Sequence, residues 1–415
     1  MHIKQNPFVS EIFITKWLEG FKSNKPDFSF NFLNGLRFYK SSYLPIYVNA
    51  GRNHTKGISY AIGNKESKNF KNSIALIYDV PDYLDLGTSS ILDTIKSYRI
   101  KQYPGFLTDL SKYQDSNDYL KSTFSKKTLN KLSRYERRLE HCFDIKYKMH
   151  FGDISKDDYD SIFESFRYLL EKRFSEKQIR NNNLDPDEWD FYYNVSYPLL
   201  KEKRASLYAV YQSSTPIAIT LNYFSENMLF HGITVFDIDY SKFHLGKIAL
   251  KNLFQWCFEH KIQYFDFSKG IFDYKTHWSN KRYNFEYHLY FDKSSIPISL
   301  MALTIKKYFE LKQYLREKEL NKTLHRFTYW FKRKDMKSIP VTKFNFYEIG
   351  KEYKDSELIK INLLSKEFAS LIKIINEFLF LNKEALKDLN VLKVSDKEST
   401  FIIKGKKISK LLVIH

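Results

Sequence analysis

Three apolar runs that lie close together constrain the fold of this chain more than any other feature of its sequence. They cover residues 206–211, 217–224 and 228–236 and are rich in β-branched and aromatic residues. Only short polar breaks at 212–216 and 225–227 separate them. Antiparallel strands can be joined by such short turns, whereas parallel strands need a crossover of a dozen or more residues. The segment therefore predicts a three-stranded antiparallel meander.

Helical patterns flank this meander, and further strand-like runs follow it. Apolar residues at helical spacing predict helices over 124–141, 157–172 and 246–260. Asp185, as an N-cap ahead of Pro186, predicts the start of one more helix. Short apolar runs typical of strands return at 262–267 and 285–291. Helices and strands mixed in this order predict an α/β (α+β) domain with a mixed, largely antiparallel sheet.

The first 120 residues and the last 115 are organised differently from this central region. The N-terminal part predicts helices over 8–21 and 91–98 and short strands over 44–48, 58–62 and 73–78. Residues 302–334 predict a long basic helix or helix pair. The tail predicts a small α/β unit that ends in a hairpin at 401–403 and 410–414. We therefore divide the chain into domains at 1–120, 121–300, 301–335 and 336–415.

Charge and cysteine content limit the kinds of partner and the cellular compartment that we expect for the protein. The net charge of +19 favours phosphate-rich cofactors, nucleic acid or an anionic membrane surface, although a general richness in lysine contributes to it. Cys142 and Cys257 form neither a disulfide framework nor a zinc pattern. No apolar run is long enough for a membrane span. We expect a cytoplasmic protein without a metal, whose contact with the inner membrane face would be peripheral, through 302–334.

The loop that leads from the meander into the helix at 246 is a candidate anion site. It contains Lys242 and ends in His244, Leu245, Gly246 and Lys247. Glycine at a helix start allows backbone to approach a ligand closely, and the unpaired N–H groups there attract phosphate. An ordinary loop into a packed helix has the same pattern, so the spacing alone does not decide between them.

The stretch 265–280, FDFSKGIFDYKTHWSN, combines a strand with an unusual set of reactive side chains. Asp266 lies between two phenylalanines, and a buried carboxylate must be paired or protonated. Its candidate partners are Lys269, Lys275 and His231, in an ion pair or as a proton acceptor for an incoming nucleophile. Tyr274 and Trp278 offer flat faces to a ring or sugar, or simply pack in the core.

The helix over 124–141 places Lys127, Lys131, Arg134 and Arg138 on one face, opposite its leucines. Such a face is either solvated or the wall of an anion-binding site. We retain Arg134 and Arg138 as candidate substrate-binding residues on the second interpretation.

Residues 123–290 resemble the GNAT-like acyltransferase domain of the cellulose and exopolysaccharide biosynthesis type, which is related to the Fem-type aminoacyl transferases. Three features carry the resemblance: the basic helix from Lys126 to Arg138, the loop from Asp237 to Gly246, and the strand at 265–267 with the residues after it, Gly270, Tyr274, Lys275 and Trp278. The resemblance implies tandem GNAT-like domains, a degenerate one in 1–120 and a complete one in 121–300, with a C-terminal helical and small α/β appendage.

The resemblance also implies an activity and roles for the candidate residues. It implies transfer of an acyl group from acetyl-coenzyme A or another acyl-coenzyme A, as co-substrate, to an amine or hydroxyl acceptor. The catalytic candidates are Asp266, Lys275 and Tyr274. The coenzyme-binding candidates are Thr234, Val235, Leu245, Gly246 and Lys247, and the substrate-binding candidates are His231, Trp278, Arg134 and Arg138. The strand bearing His231 and the strand bearing Asp266 should splay apart around the thioester.

The acceptor is expected to be a small molecule or a glycan- or lipid-linked precursor of the cell envelope or of a polysaccharide. Two alternatives remain open at this stage. One is a Fem-like transferase whose donor is aminoacyl-tRNA, with the cations of 124–141 and 302–334 on RNA phosphates. The other is a non-catalytic basic module that binds a membrane or a partner surface.

Overall fold

A mixed sheet of eleven strands forms the centre of the computed structural model, which describes residues 3–23, 25–63, 70–86, 93–318, 343–350, 353–363, 365–397 and 399–415. The strands up to residue 292 are β1 (Asp27–Phe28), β2 (Leu33–Asn34), β3 (Phe38–Lys40), β4 (Ile46–Asn49), β5 (Ala61–Ile62), β6 (Ile74–Pro81), β7 (Ile95–Asp109), β8 (Ile145–His150), β9 (Ala205–Gln212), β10 (Thr215–Phe224), β11 (Met228–Phe236), β12 (Tyr264–Lys269) and β13 (Lys281–Asp292). The order across the sheet is β1-β3-β4-β6-β13-β7-β12-β11-β10-β9-β8, and β2 and β5 pair separately.

The strands β8 to β11 form an antiparallel run, which confirms the predicted meander. The strand β7 connects this run to the N-terminal part, because it pairs with β12 along one edge and with β13 along the other. β12 pairs directly with β11 in parallel, and the segment of chain that joins the two strands contains a helix. One continuous sheet therefore contains strands from both 1–120 and 121–300.

Helices cover both faces of this sheet. They are α1 (Glu11–Lys22), α2 (Ser116–Thr123), α3 (Lys126–Cys142), α4 (Lys156–Lys177), α5 (Pro186–Lys201), α6 (Leu245–Glu259), α7 (Asp273–Trp278), α8 (Ile296–Glu317) and, in the tail, α9 (Ile372–Asn382). Buried side chains of α1, α4, α5 and α8 belong to one apolar cluster. Those of α2, α3, α6 and α9 belong to a second cluster, which also contains Phe265 and Trp278. The sheet is thus the middle layer between two cores.

The tail forms a second, antiparallel sheet whose helix docks on the central domain. Its strands are β14 (Phe344–Tyr347), β15 (Leu358–Lys360), β16 (Asn390–Val394), β17 (Thr400–Lys404) and β18 (Ser409–Ile414), in the order β14-β18-β17-β16-β15. Asn376 of α9 donates to the carbonyl of Asp239 at 3.2 Å, and Glu377 pairs with Lys242 at 3.0 Å. The guanidinium of Arg138 on α3 donates to the carbonyl of Phe380. The appendage therefore holds the loop before α6.

The mixed α/β class, the largely antiparallel sheet and the C-terminal appendage are confirmed, whereas several local predictions were wrong. Instead of a helix at 91–98, the described residues from Ile95 onward form β7, because pairing with β13, in which Ile95 to Tyr98 take part, overrides local preference. In 58–62 only Ala61–Ile62 is strand. Asp185 is an N-cap by position, but its carboxylate binds Arg180 and makes no capping hydrogen bond.

The predicted basic helix at 302–334 begins earlier than expected, at Ile296, and its part beyond 318 lies outside the described residues. Among the residues that the structure describes, no helix combines the length and the apolar character needed to cross a bilayer. In that same set no group of histidine, cysteine or acidic side chains is arranged to hold a metal ion.

The contact between Gly105 of β7 and Tyr283 of β13 supports a first prediction. The two residues are direct cross-strand partners, and a Cβ on Gly105 would lie 2.2 Å from the Tyr283 ring. We expect Gly105→Ala to lower the free energy of unfolding by about 2 kcal/mol or more, because a buried ring must move. Chemical denaturation measures this.

The matched control is Gly20→Ala in α1, where nothing lies within 4 Å of the added carbon. That change should stabilise the protein by up to about 1 kcal/mol, because alanine favours helix. Equal stabilities for the two variants would contradict the packing described for β7 and β13.

Candidate active site

The strands β11 and β12 pair over one short stretch and then separate. Their parallel register runs from Met228 and Tyr264 to Phe230 and Asp266, and no pairing follows. Beyond it, β11 continues to Phe236 and stays paired with β10 on its other edge only. The register of that pair shifts at Gly232, which is an extra, bulged residue on β11. The predicted splaying is confirmed, and it exposes a strand edge with unpaired backbone groups.

A cavity of about 410 Å³ lies beside the end of β11 that β12 leaves unpaired. Its walls come from β11, from the first turns of α6, from α7 and from Arg173 on α4. A second cavity of about 480 Å³ continues from it towards α3. The two share four lining residues, namely His244, Lys247, Tyr274 and Trp278. Together they form one cleft of a size that suits a cofactor-sized ligand.

The first turn of α6 closes one end of the cleft with positive charge. His244 precedes the helix in the left-handed conformation, with φ of 55°. The free N–H groups of the first turn lie at the positive end of the helix. Lys247 lines both cavities, and the guanidinium of Arg173 lies 4.2 Å from the centroid of the Phe236 ring. The described residues around the 410 Å³ cavity include no carboxylate, so this end suits an anion.

Gly246 is required here for space rather than for backbone freedom. A Cβ at this position would lie 2.7 Å from the ring of Phe236 across the cleft. The absence of a side chain therefore lets the start of α6 approach the unpaired end of β11.

His231 lies at the other end of the cleft, immediately after Phe230, the last residue of β11 that pairs with β12. It is 5% exposed and lines the 410 Å³ cavity, and its imidazole makes no hydrogen bond to any residue that the structure describes. Burial lowers the pKa of its imidazole to about 3, with further contributions from Lys275 and Lys56. The ring is therefore neutral near pH 7 and keeps a nitrogen free to accept a proton or a hydrogen bond.

Asp266 is fully buried, and its partners are not the ones predicted from the sequence. Its carboxylate accepts hydrogen bonds from the hydroxyl of Tyr83 at 3.0 Å and from that of Tyr283 at 2.8 Å. The backbone N–H of Ser268 donates to it at 2.6 Å. Burial raises its pKa to about 6, although these hydrogen bonds and Lys275 oppose the shift. It lines neither cavity, so it fixes the strands at the fork rather than facing a ligand.

A cluster of lysines surrounds this fork. Lys269 pairs with Asp79 at 2.7 Å, and the ammonium of Lys275 donates to the carbonyl of Lys269 at 2.8 Å. Burial, together with the charges of Lys56 and Lys269, lowers the pKa of Lys275 to about 7. Burial and Lys269 likewise lower the pKa of Lys56 to about 8. The region carries more cations than its carboxylates neutralise, which explains the lowered values.

The structure brings some of the other sequence-predicted residues to the cleft. Thr234 lines it, with its hydroxyl 2.9 Å from that of Thr220. Tyr274 is 36% exposed and lines both cavities, and burial raises its pKa to about 12. Trp278 lines both as well, although it is 3% exposed and stacks on Phe254.

Besides Asp266 and Lys275, which line neither cavity, four of the predicted side chains lie elsewhere. Val235 and Leu245 are buried in the two cores, so only their backbone can contact a ligand. Arg134 is exposed and stacks beside Tyr135, and Arg138 is engaged with Phe380. Neither arginine lines the cleft.

The buried carboxyl of Asp266 generates a prediction about stability. A pKa raised from 3.8 to about 6 means that the folded state binds the proton more tightly than the unfolded state does. This group therefore destabilises the fold as the pH rises from 4 to 6, and the effect levels off above that range. We expect the stability of Asp266→Asn relative to the parent to increase over this interval, by on the order of 3 kcal/mol.

Urea denaturation at a series of pH values measures this difference. Asp153→Asn, at an exposed carboxyl outside the cleft, is the control and should show no comparable trend. A difference between Asp266→Asn and the parent that does not change from pH 4 to 6 would contradict the buried, proton-holding state of Asp266.

One known family model matches the central segment of the chain. Residues 126–276 match the family model of the acetyltransferase (GNAT) domain. The match covers a little over a third of the chain and includes α3, the meander, α6, β12 and most of α7. It supports a transferase of the GNAT type, without a particular acyl group or acceptor. No curated protein sequence matches the chain.

Several solved structures are similar to the chain at low identity. L-PGS from Bacillus licheniformis is 13% identical, with 75% of this chain and 99% of that chain covered and a TM-score of 0.41. A conserved protein of unknown function from Bacteroides thetaiotaomicron is 10% identical, with 69% and 92% covered and a TM-score of 0.45. A tandem GNAT protein from the clavulanic acid biosynthesis pathway is 10% identical, with 61% and 77% covered and a TM-score of 0.31.

Proposed function

We propose that this protein transfers an acyl group from an acyl-coenzyme A, such as acetyl-coenzyme A, to an amine or hydroxyl acceptor. The observation that carries the proposal is the unpaired edge of β11, which shares one cavity with the glycine-containing start of α6. An extended carrier arm can hydrogen-bond to a free strand edge as an added strand would. The anionic end of the same molecule suits a helix N-terminus. The match to the acetyltransferase (GNAT) domain over 126–276 supports this interpretation.

The residues of the cleft fit both the diphosphate and the thioester part of such a donor. The diphosphate would lie at Gly246 and Lys247, with Arg173 as a further cation. The pantetheine arm and thioester would lie along 231–236 of β11, whose backbone N–H groups can stabilise charge that develops on the carbonyl oxygen. Arg173 is a residue that the sequence analysis missed.

The reaction needs a proton acceptor and a proton donor, and the cleft holds a candidate for each. The nitrogen or oxygen of the acyl acceptor attacks the thioester carbon. The new bond to this carbon forms as its bond to sulfur breaks. His231, neutral and unpaired, receives the proton from the attacking group. Tyr274 keeps its hydroxyl proton near neutral pH and donates it to the departing thiolate.

Asp266 and Lys275 act on this chemistry from behind the cleft surface. Asp266 positions His231 indirectly. It anchors the end of β12 that pairs with Phe230, and His231 is the next residue of β11. Lys275 controls the charge beside His231, since its own proton is lost near neutral pH. We propose an acceptor among small molecules or glycan- or lipid-linked cell-envelope precursors, for which the sequence resemblance is the support.

Coenzyme A binding tests the donor site directly. We expect Gly246→Ala to weaken coenzyme A binding about tenfold or more, because the added methyl group pushes Phe236 into the cavity. Lys247→Met should weaken it by about tenfold through loss of a charge-assisted contact. Isothermal titration calorimetry measures both affinities.

The matched controls are Gly20→Ala and Lys201→Met, a helical glycine and an exposed helical lysine on other elements. Both should bind coenzyme A as the parent does. A parent protein that binds neither coenzyme A nor acetyl-coenzyme A would overturn the proposal, and binding of aminoacyl-tRNA instead would favour the Fem-like alternative.

The pH dependence of the reaction tests the role of Lys275. We use hydroxylamine as a small acceptor, follow thiol release from acetyl-coenzyme A, and compare the parent with Lys275→Met. The parent carries an extra positive charge beside His231 below about pH 7 and loses it above. The ratio of parent rate to variant rate should therefore rise with pH, by roughly tenfold, and level off above about 7.

This ratio cancels the ionisation of hydroxylamine itself, which is common to both proteins. Lys201→Met should give a ratio that does not depend on pH. The same flat profile for Lys275→Met would show that the charge of Lys275 has no influence on the proton transfer.

A further inference from the structure

The helix α8 has one packed face and one long apolar face that the rest of the described protein leaves exposed. Its inner face is buried through Ile298, Ala302 and Phe309, and the Phe309 ring stacks on Tyr287 of β13 at 4.1 Å. On the outer face the exposed large side chains are Ile296 at 75%, Leu300 at 61%, Leu303 at 42%, Tyr308 at 58%, Leu311 at 56%, Tyr314 at 56% and Leu315 at 39%. Contiguous exposed apolar surface of this kind marks an interaction site.

Five of these exposed residues, Ile296, Leu300, Leu303, Leu311 and Tyr314, follow a regular stripe, and Tyr308 and Leu315 flank it. Steps of three or four residues connect 296, 300, 303, 307, 311, 314 and 318, which places them along one side of the helix. This line runs the length of α8, roughly 30 Å for 22 residues. Two of its positions are lysines, Lys307 and Lys318, whose long stems can lie along an apolar layer while their charges reach a polar boundary.

Charge identifies the kind of surface that this stripe fits. α8 and its C-cap contain five cations but only two carboxylates, Glu310 and Glu317. The cations are Lys306, Lys307, Lys312, Arg316 and Lys318. Glu310 is paired with Lys306 and Lys307, and Glu317 with Lys101. In the described part of the chain no carboxylate pairs with Lys312 or Lys318. The excess of positive charge on an apolar stripe matches an anionic lipid surface.

We propose that α8 lies in the surface of an anionic lipid bilayer, with Leu300, Leu303 and Leu311 inserted at the acyl boundary and Lys307 and Lys318 at the headgroups. A second copy of the chain fits the exposed face of α8 less well than an anionic lipid surface does. A two-fold pairing of this face would add the positive charge of the second copy to that of the first, and among the described residues no carboxylate pairs with Lys318 on the stripe. This proposal does not depend on acyl transfer, because it concerns a face of the protein other than the cleft.

Vesicle flotation tests the proposal on the full chain. We expect binding to vesicles of equal parts phosphatidylglycerol and phosphatidylcholine and little binding to phosphatidylcholine alone. Leu300→Ser combined with Leu311→Ser should weaken binding to the anionic vesicles about tenfold or more, because two inserted side chains are lost. Lys307→Gln combined with Lys318→Gln should also weaken it and reduce its dependence on salt.

Leu381→Ser is the matched control, since Leu381 of α9 is equally exposed, at 57%, and lies off the stripe. It should leave vesicle binding unchanged, and all variants should bind coenzyme A as the parent does. Three results would overturn the proposal: no binding to phosphatidylglycerol vesicles, an equal loss in Leu381→Ser, or a dimer in analytical ultracentrifugation that the double leucine variant dissociates.

Discussion

Asp266 is the last residue of β12 that pairs with β11, and the two strands separate immediately beyond it. A fully buried carboxylate is costly unless it is well hydrogen-bonded. Here Tyr83, Tyr283 and the N–H of Ser268 surround it, and Ser268 adopts the left-handed conformation, with φ of 60°. The hydrogen bonds join the N-terminal part, β12 and β13 at one point. The fork between the strands, and with it the cleft, depends on this junction.

The cleft beyond the fork has two electrostatically different ends. The start of α6, with Lys247 and Arg173, presents fixed positive charge and unpaired N–H groups. At the fork, burial and the charges of neighbouring lysines lower the pKa values of Lys56 and Lys275 and keep His231 neutral. One end thus suits a permanently anionic group, and the other suits proton transfer near neutral pH. A thioester carrier with a phosphorylated tail has this same polarity.

Local sequence patterns predicted the parts of this architecture that local interactions determine. The meander, α3, α6 and the hairpin of β17 and β18 follow from hydrophobic period and short turns, and the loop before α6 was predicted as a candidate anion site. The site residues that were missed come from distant segments. Tyr83, Tyr283 and Lys56 at the fork, and Arg173 near the start of α6, carry no spacing signal, because only long-range packing of distant segments brings them there.

Long-range packing also explains the predictions that failed. Residues 95–98 have helical local character, but β7 extends through them because β13 pairs with them along one edge, from Ile95 opposite Asp292 to Tyr98 opposite Leu289. Arg138 has the pattern of an anion-facing wall, yet the appendage, which local sequence could not place, accepts its hydrogen bond at Phe380. The same docking connects the tail to the loop at Asp239 and Lys242, which leads into the proposed coenzyme site.

Hydrogen–deuterium exchange of the full chain, with and without acetyl-coenzyme A, tests the central claim most directly. Alternate amides of 231–236 point from the unpaired edge of β11 towards the cleft, and those of 245–247 begin α6. If the donor occupies the fork, both segments should gain protection together, while the outer meander strands β8 and β9 should not change. Protection confined to any other part of the chain, or none at saturating acetyl-coenzyme A, would contradict the account.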